Sequence, residues 1–194
     1  LMADLVLNHV SSSHPWVQEF IKSQEPGISN VFSPDQNLDW SNVVRPRSSS
    51  LFSQINTEDG PKQVWTTFGP DQIDLNWHNP KMTLEFLNLI INYLSNGIKW
   101  FRLDAVGFIW KESGTTCLHL PKAHSIVKLL RFLLNNLLDD GVLITETNVP
   151  QKENLSYLIP DDEAHMAYNF PLPPLLLEAI ITSRADILNS WIFD

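Results

Sequence analysis

The chain has 194 residues, 43% of them hydrophobic, enough for one domain with a sizeable core. Its 13 Lys and Arg stand against 22 Asp and Glu, a formal net charge of −9, which argues against nucleic acid or an anionic membrane as partner because both need a basic face. The single cysteine, Cys117, cannot form an internal disulfide and fits a reducing, cytoplasmic setting, and no apolar run is long enough to span a bilayer.

In chain order, "LMADLVLNHV" is an apolar strand ending near His9, with Asp4 and Asn8 on one parity. A chain that opens inside a strand, without an initiating Met, and stops abruptly at "ILNSWIFD" is expected to be a piece of a longer protein. Residues 10–78 differ in kind. Ser, Pro, Asn and Asp are frequent, and "SSSHPW", "FSPDQ" and "TEDGPKQ" are turn-type clusters. This stretch reads as a loop-rich insertion with one short helix over "HPWVQEFIKSQ" and one strand over "QVWTTF".

Regularity returns with "HNPKMTLEFLNLIINYLSNG". Asn79 caps a helix that starts at Pro80 and stops at Asn96-Gly97, and Leu84, Leu87, Ile91 and Leu94 form its apolar stripe. A buried strand covers about Ile98 to Val106. The helix "LPKAHSIVKLLRFLLNNLLDDG" follows, with Ile126, Leu130, Leu133 and Leu137 on one stripe. "VLITET" is another buried strand, "HMAYNF" a further one, and "PPLLLEAIITSRADILNS" one further helix. Apolar strands alternating with helices predict an α/β protein with a parallel sheet. The spacing from Asp104 to Glu146 suits one βαβ unit, whereas that from Asn8 to Asp104 is too long by a small subdomain. A barrel or open sheet therefore carries an insertion after its first strand.

Three of these strands end in polar side chains: "DLVLNH", "FRLD" and "ITE". In a (β/α)8 barrel the catalytic groups sit at the C-terminal strand ends, so Asn8, His9, Arg102, Asp104 and Glu146 are expected to converge. Two carboxylates flanking one bond are the machinery of glycoside chemistry. Arg102 shares a strand face with Asp104 and would hold that carboxylate ionised and oriented, as a nucleophile requires. Glu146 has no basic residue near it in sequence, and a carboxyl buried away from cations favours its protonated form, which suits a general acid. Taken singly, the Arg102–Asp104 pair is as well explained by a structural ion pair, and Glu146 by a solvated rim.

"DLVLNH", "QIDLN", "FRLDAV" and "ITE" resemble, in order, four short stretches of the α-amylase family, glycoside hydrolase family 13. The longer run "FRLDAVGFIWKESGTTC" resembles the sucrose phosphorylase subfamily, and "FIWKESGTTCLHLPKAHSIVKLLR" with "ITETNVPQKENLSY" looks most like its glucosylglycerate-phosphorylase-like members. The resemblance implies a partial (β/α)8 barrel, roughly strands three to six: residues 1–9 as strand three, 10–78 as the inserted domain B, and 79–194 as the helices and strands four to six. It implies Asp104 as nucleophile, Glu146 as acid/base, Arg102 as the arginine contacting the nucleophile, and His9 as a contact of the transferred glucosyl unit. Phe68 and Gln72 match positions that shape the sugar site, and Asp4 and Asn8 are supporting residues. The implied reaction is retaining phosphorolysis of a sucrose-like α-glucoside, with inorganic phosphate as co-substrate and no other cofactor. An α-glucosidase or transglucosidase with the same residues is the alternative. Many α-amylases hold calcium through the Asn8 position, but sucrose phosphorylases generally lack that ion, so no metal is expected. The family's third carboxylate follows barrel strand seven, which this chain does not reach, so the chain alone is expected to be inactive.

The smaller signals carry bland expectations. The spacing of His9 and His14 fits no zinc pattern, and His14 reads as a surface loop. His78, His119, His124 and His165 read as surface or satisfied polar groups, and Cys117 as packing. Trp65, Trp77 and Trp100 read as core, with Trp110 the tryptophan best placed for a sugar. Arg45 and Arg47 are suited to a phosphate or carboxylate, although an exposed basic loop explains them as well. Asn154 is a glycosylation sequon only in a secretory setting. Nothing sets the oligomeric state.

Overall fold

The structure, a computed structural model, describes residues 1–159 and 161–193. The elements run β1 (Met2–Val6), β2 (His9–Ser11), α1 (Pro15–Ile21), α2 (Gly27–Asn30), β3 (Phe52–Thr57), β4 (Gly60–Trp65), β5 (Gln72–Asp74), α3 (Pro80–Ser95) and β6 (Trp100–Asp104). After a 3-10 turn at Val106–Phe108 come α4 (Pro121–Leu137), β7 (Val142–Thr145), α5 (Gln151–Leu155), β8 (Met166–Ala167), α6 (Leu172–Thr182) and α7 (Asp186–Phe193).

Four strands form one sheet in the order β1-β6-β7-β8, every pair parallel. The α/β class and its parallel sheet are thus as expected from the alternation of apolar strands and helices. Helices α3 and α4 cover the sheet, and Leu5, Phe101, Leu103 and Leu143 from the strands meet Phe86, Ile90, Ile126, Val127, Leu130 and Leu134 from the helices in one core. Two small antiparallel ribbons, β2-β5 and β3-β4, belong to the stretch between β1 and α3. That stretch has its own aromatic nest, in which Trp65 meets Phe32, Trp40 and Phe52 edge-on with centroids 5.5, 5.1 and 5.4 Å away. Cys117 is buried in the same cluster, a packing role.

Local details depart from the sequence pattern. The first strand stops at Val6, and His9 instead opens β2 and pairs with Asp74 of β5. Helix α3 starts at the expected cap, the Asn79 side chain accepting from Lys81 N–H at 3.1 Å, but it buries Met82, Phe86 and Ile90, while Leu84 and Ile91 are 59% and 51% exposed. Lys81, Glu85, Asn88 and Asn92 share one side of this helix, and the buried residues lie opposite them, so the polar residues mark the face and the expected stripe lies to one side of it. Trp77 packs on the buried face, stacking on Phe86 at 5.1 Å while its Nε1 donates to Leu7 O at 2.8 Å. In α4 the buried stripe is Ala123, Ile126, Val127, Leu130 and Leu134, with Leu137 exposed. The strand expected over "HMAYNF" shortens to two residues. The last expected helix is two, divided after Ser183, which takes a left-handed conformation with φ 55°.

Candidate active site

Parallel register brings the strand ends together. Asp4 lies opposite Arg102, Val6 opposite Asp104, and Arg102 opposite Ile144. The ladder continues one step past β7, where Glu146 N–H donates to Leu103 O at 3.0 Å. Arg102 is the hub. Its Nη1 donates to Asp104 Oδ1 at 2.9 Å and to both Asp4 oxygens at 2.7 and 2.8 Å, and its Nη2 stands 3.4 Å from Glu146 Oε1. The other Glu146 oxygen, Oε2, accepts from Ala105 N–H at 3.1 Å. Burial works against the guanidinium charge, but hydrogen bonding to Asp4 and the charges of Asp4, Asp104 and Glu146 outweigh it and raise the pKa of Arg102. The Tyr168 ring covers the guanidinium, with Arg102 Cζ 5.4 Å from its centroid.

This overturns one expectation. Glu146 does have a cation beside it, the same one that holds Asp104. The reason is cross-strand: Arg102 is remote from Glu146 in sequence and adjacent to it in the sheet. Charge environment therefore does not separate the roles of the two carboxylates.

The remaining expected site residues form a second group beside the first. His9 Nε2 lies 2.9 Å from Gln72 Nε2, the His9 and Phe68 ring centroids are 5.3 Å apart, and Phe68 meets Phe108 edge-on at 5.3 Å. Burial pushes the His9 pKa down; Asp74 and Asp104 oppose that, and the Lys111 ammonium reinforces it. The ring is thus a neutral hydrogen-bonding partner at neutral pH.

Beneath lies a cluster whose cation the sequence pattern did not bring out. Lys111 Nζ is 2.7 Å from Asp74 Oδ2, with the two side chains 1% and 0% exposed. It also donates to Asn8 Oδ1 at 2.8 Å and to Phe108 O at 2.7 Å. Asn8 Nδ2 and Thr67 Oγ1 donate to Asp74 Oδ2 at 2.9 and 2.6 Å, and Thr67 N–H to Asp74 Oδ1 at 2.9 Å. One ammonium thus ties the end of β1, the end of β5 and the loop after β6. A lysine isolated in the apolar run "GFIWK" was the available signal. Asn8, expected as a supporting residue, is a ligand of this ammonium.

A pocket of roughly 440 Å³ opens over the strand ends. Glu146, Thr147 and Asn148 follow β7 into its wall, Gly107 and His119 come from the loop after β6, and Phe68 and Arg47 come from the stretch between β1 and α3. Arg45 and Arg47 are both exposed, and Arg47 alone of the two reaches the pocket. Trp110 lies against His78 with centroids 4.2 Å apart and packs on the core, which places it away from the pocket wall. His14 caps α1, its Nδ1 accepting from Trp16 N–H at 3.2 Å. His78, His124 and His165 each have a partner, in Lys111 O, Glu163 Oε2 and Leu143 N–H. Among the described residues no three His, Cys, Asp or Glu side chains are grouped to hold a metal ion, and no helix is long and apolar enough to cross a membrane.

The family model described as "Alpha amylase, catalytic domain" matches residues 1–187. Among curated proteins, a glucosylglycerate phosphorylase of Allomeiothermus silvanus is 47% identical over 192 residues, covering 98% of this chain and 35% of that protein. One of Escherichia coli is 44% identical over 194 residues, covering 98% and 34%. The crystal structure of sucrose 6F-phosphate phosphorylase from Thermoanaerobacter thermosaccharolyticum aligns with a TM-score of 0.84 at 23% identity, over 100% of this chain and 42% of that one, a likeness of fold. The chain spans about a third of the length of the curated relatives it matches.

Proposed function

The chain belongs to the α-amylase family, glycoside hydrolase family 13, and from that premise we propose that the complete protein phosphorolyses an α-glucoside to α-glucose 1-phosphate with retention. The observation that carries this is one guanidinium gripping two carboxylates, Asp104 and Glu146, at the ends of adjacent parallel strands beside a pocket. Asp104 is the nucleophile, since a firm hydrogen bond from Arg102 holds one of its oxygens and leaves the other to bond the anomeric carbon. Glu146 is the acid/base, since it lines the pocket into which a leaving alcohol would depart. His9, Gln72 and Phe68 enclose the glucosyl ring.

In the first step Glu146 gives its proton to the glycosidic oxygen as an Asp104 oxygen bonds C1. The C1–O bond breaks, the alcohol leaves, and a β-glucosyl ester remains on Asp104. In the second step a phosphate oxygen bonds C1 and the ester bond breaks. Glu146 takes the proton that the phosphate brings, and Asp104 is regenerated. Arg47 on the pocket rim is the cation suited to receive the phosphate. Glucosylglycerate, the substrate in the names of the relatives at 47% and 44% identity, is the first α-glucoside to supply. No metal enters this reading, because the Lys111 ammonium already serves the oxygens of Asn8, Asp74 and Phe108. A reducing cytoplasm is the compartment it assigns.

The test is to supply the complete protein with glucosylglycerate, with and without phosphate, after dialysis against a chelator. Glucose 1-phosphate should form in step with glycerate, only when phosphate is present, and as the α-anomer by proton NMR. Free glucose released at the same rate without phosphate makes the protein a hydrolase instead. A carboxyl separation of about 5–5.5 Å between Asp104 and Glu146 is required by the retaining route.

A further inference from the structure

The Tyr168 ring lies over the Arg102 guanidinium, whose Cζ is 5.4 Å from the ring centroid, and the function proposed above gives that ring no role. Its place is fixed from several directions. Tyr168 N–H donates to Thr145 O at 2.9 Å, which carries the parallel β7–β8 ladder one step past Ala167. Tyr168 O accepts from Asn154 Nδ2 at 2.8 Å. Asn154 Oδ1 in turn accepts from the hydroxyl of Thr147, the residue next to Glu146. Phe170, in the pocket wall, meets the Tyr168 ring with centroids 5.8 Å apart. One amide side chain thus ties the segment that carries Glu146 to the segment that carries Tyr168.

Packing does not account for this placement, because Tyr168 is half-buried and lies outside the core that the described strands and helices share. Its large neighbour is the cation. Arg102 serves Asp4, Asp104 and Glu146 at once, and the attraction between such charges weakens steeply where water enters between them. An aromatic face attracts a guanidinium without taking any of its N–H donors, and it keeps water off the side that it covers. The ring therefore adds to the hold on the carboxylates without competing with them. The charged and titratable groups that face Asp104 are Arg102, Asp4, Glu146 and His9, and all of them stay in place when Tyr168 or Asn154 is exchanged.

We propose that Tyr168 is a positioning residue that acts through Arg102: its ring shields and steadies the guanidinium that holds Asp104 and Glu146, and the Asn154 bridge sets where that ring stands. This rests on the function proposed above, in which Asp104 attacks as an anion. With the ring gone, water dilutes the guanidinium charge, and Asp104 needs a higher pH to ionise. The ring, rather than the hydroxyl, is what meets the guanidinium, so phenylalanine can replace tyrosine here and an aliphatic residue cannot.

The test follows fluoride release from α-glucosyl fluoride by the complete protein across pH. This donor needs little help from an acid, so the acidic limb of kcat/KM reports the ionisation of Asp104. Tyr168→Leu should lower kcat/KM about tenfold and move that limb upward by about half a pH unit. Tyr168→Phe should recover both the rate and the limb. Asn154→Ala keeps the ring but loosens its mounting, and should move the limb the same way by less. A Tyr168→Leu protein that loses rate with its limb unmoved, or a Tyr168→Phe protein as impaired as Tyr168→Leu, overturns the proposal. If Tyr168→Leu does not fold, Asn154→Ala decides, and an unmoved limb there overturns it. The function proposed above is tested separately, by whether wild type needs phosphate to turn the fluoride into glucose 1-phosphate. A wild type that makes free glucose instead defeats that reading, while fluoride release still decides the role of Tyr168.

Discussion

Two cation–carboxylate clusters meet at the end of β6, and they are built on opposite rules. Around Lys111 the charges balance, one ammonium against the Asp74 carboxylate, and both side chains are sealed from water. Every polar neighbour, from Asn8, Thr67 and Phe108, is spent on the pair. Around Arg102 three carboxylates face one guanidinium, and the arginine side chain is 19% exposed. A buried pair that is balanced and fully hydrogen-bonded tolerates no change of charge. A pocket with surplus carboxylates can pass a proton or form an ester, since losing one negative charge there relieves repulsion. In the function proposed above, the cluster with surplus charge beside a pocket is the reactive one, and the neutral, closed cluster is structural.

Five substitutions sharpen or break that contrast, from the largest effect down. Asp104→Asn should lower kcat in the complete protein by at least about a thousandfold with little change in melting temperature, and Glu146→Gln should do nearly as much for poor leaving groups while sparing α-glucosyl fluoride. If both variants turned over all donors normally, the Arg102 cluster would be structural too. Lys111→Met leaves the Asp74 carboxylate buried without its cation, and a loss of about 3–5 kcal/mol is expected in denaturant unfolding. Adding Asp74→Asn to it should return part of that loss, a non-additivity that a merely packing lysine would not show. Arg102→Lys replaces a fork with a point charge that cannot reach Asp4, Asp104 and Glu146 together. The expected result is a fall in kcat of about a hundredfold with about 1 kcal/mol of stability; a larger cost in stability than in rate would place Arg102 with the structural cluster.

The smallest effect is on acid stability. His119 takes up its proton at about pH 4 in the folded state, against an ordinary value of 6.5. Between those two pH values the unfolded chain binds a proton that the folded chain refuses. Stability must therefore fall as pH drops through that window. His119→Met removes this contribution, so its stability between about pH 6.5 and 4 should decline less steeply than that of wild type; parallel curves would contradict it.

Much of the fold was legible because it depends on local pattern. The Asn79–Pro80 helix start, the apolar strands around "FRLD" and "VLIT", and the α/β alternation are read from neighbours in the chain. The face of α3 was legible only from its polar residues: Leu84, Leu87, Ile91 and Leu94 follow helical spacing, but Lys81, Glu85, Asn88 and Asn92 mark the solvent side, and Met82, Phe86 and Ile90 opposite them are the residues buried. Within the site, Arg102 and Asp104 were visible as a pair because side chains two apart share a strand face. The contact between Arg102 and Glu146, the grip of Lys111 on Asn8 and Asp74, and the unserved nitrogen of His119 were not.

What the chain's own order of residues determined was the set of elements and the polar side chains at their ends, because helix caps, turn residues and strand parity act over a few positions. What only the tertiary structure decided was which charges meet. Parallel register set Arg102 between Asp4 and Glu146, and the fold of the stretch between β1 and α3 carried Asp74, Phe68 and Arg47 to the strand ends. Coulomb attraction and desolvation act through space, so the chemistry of this site lies in contacts between residues far apart along the chain.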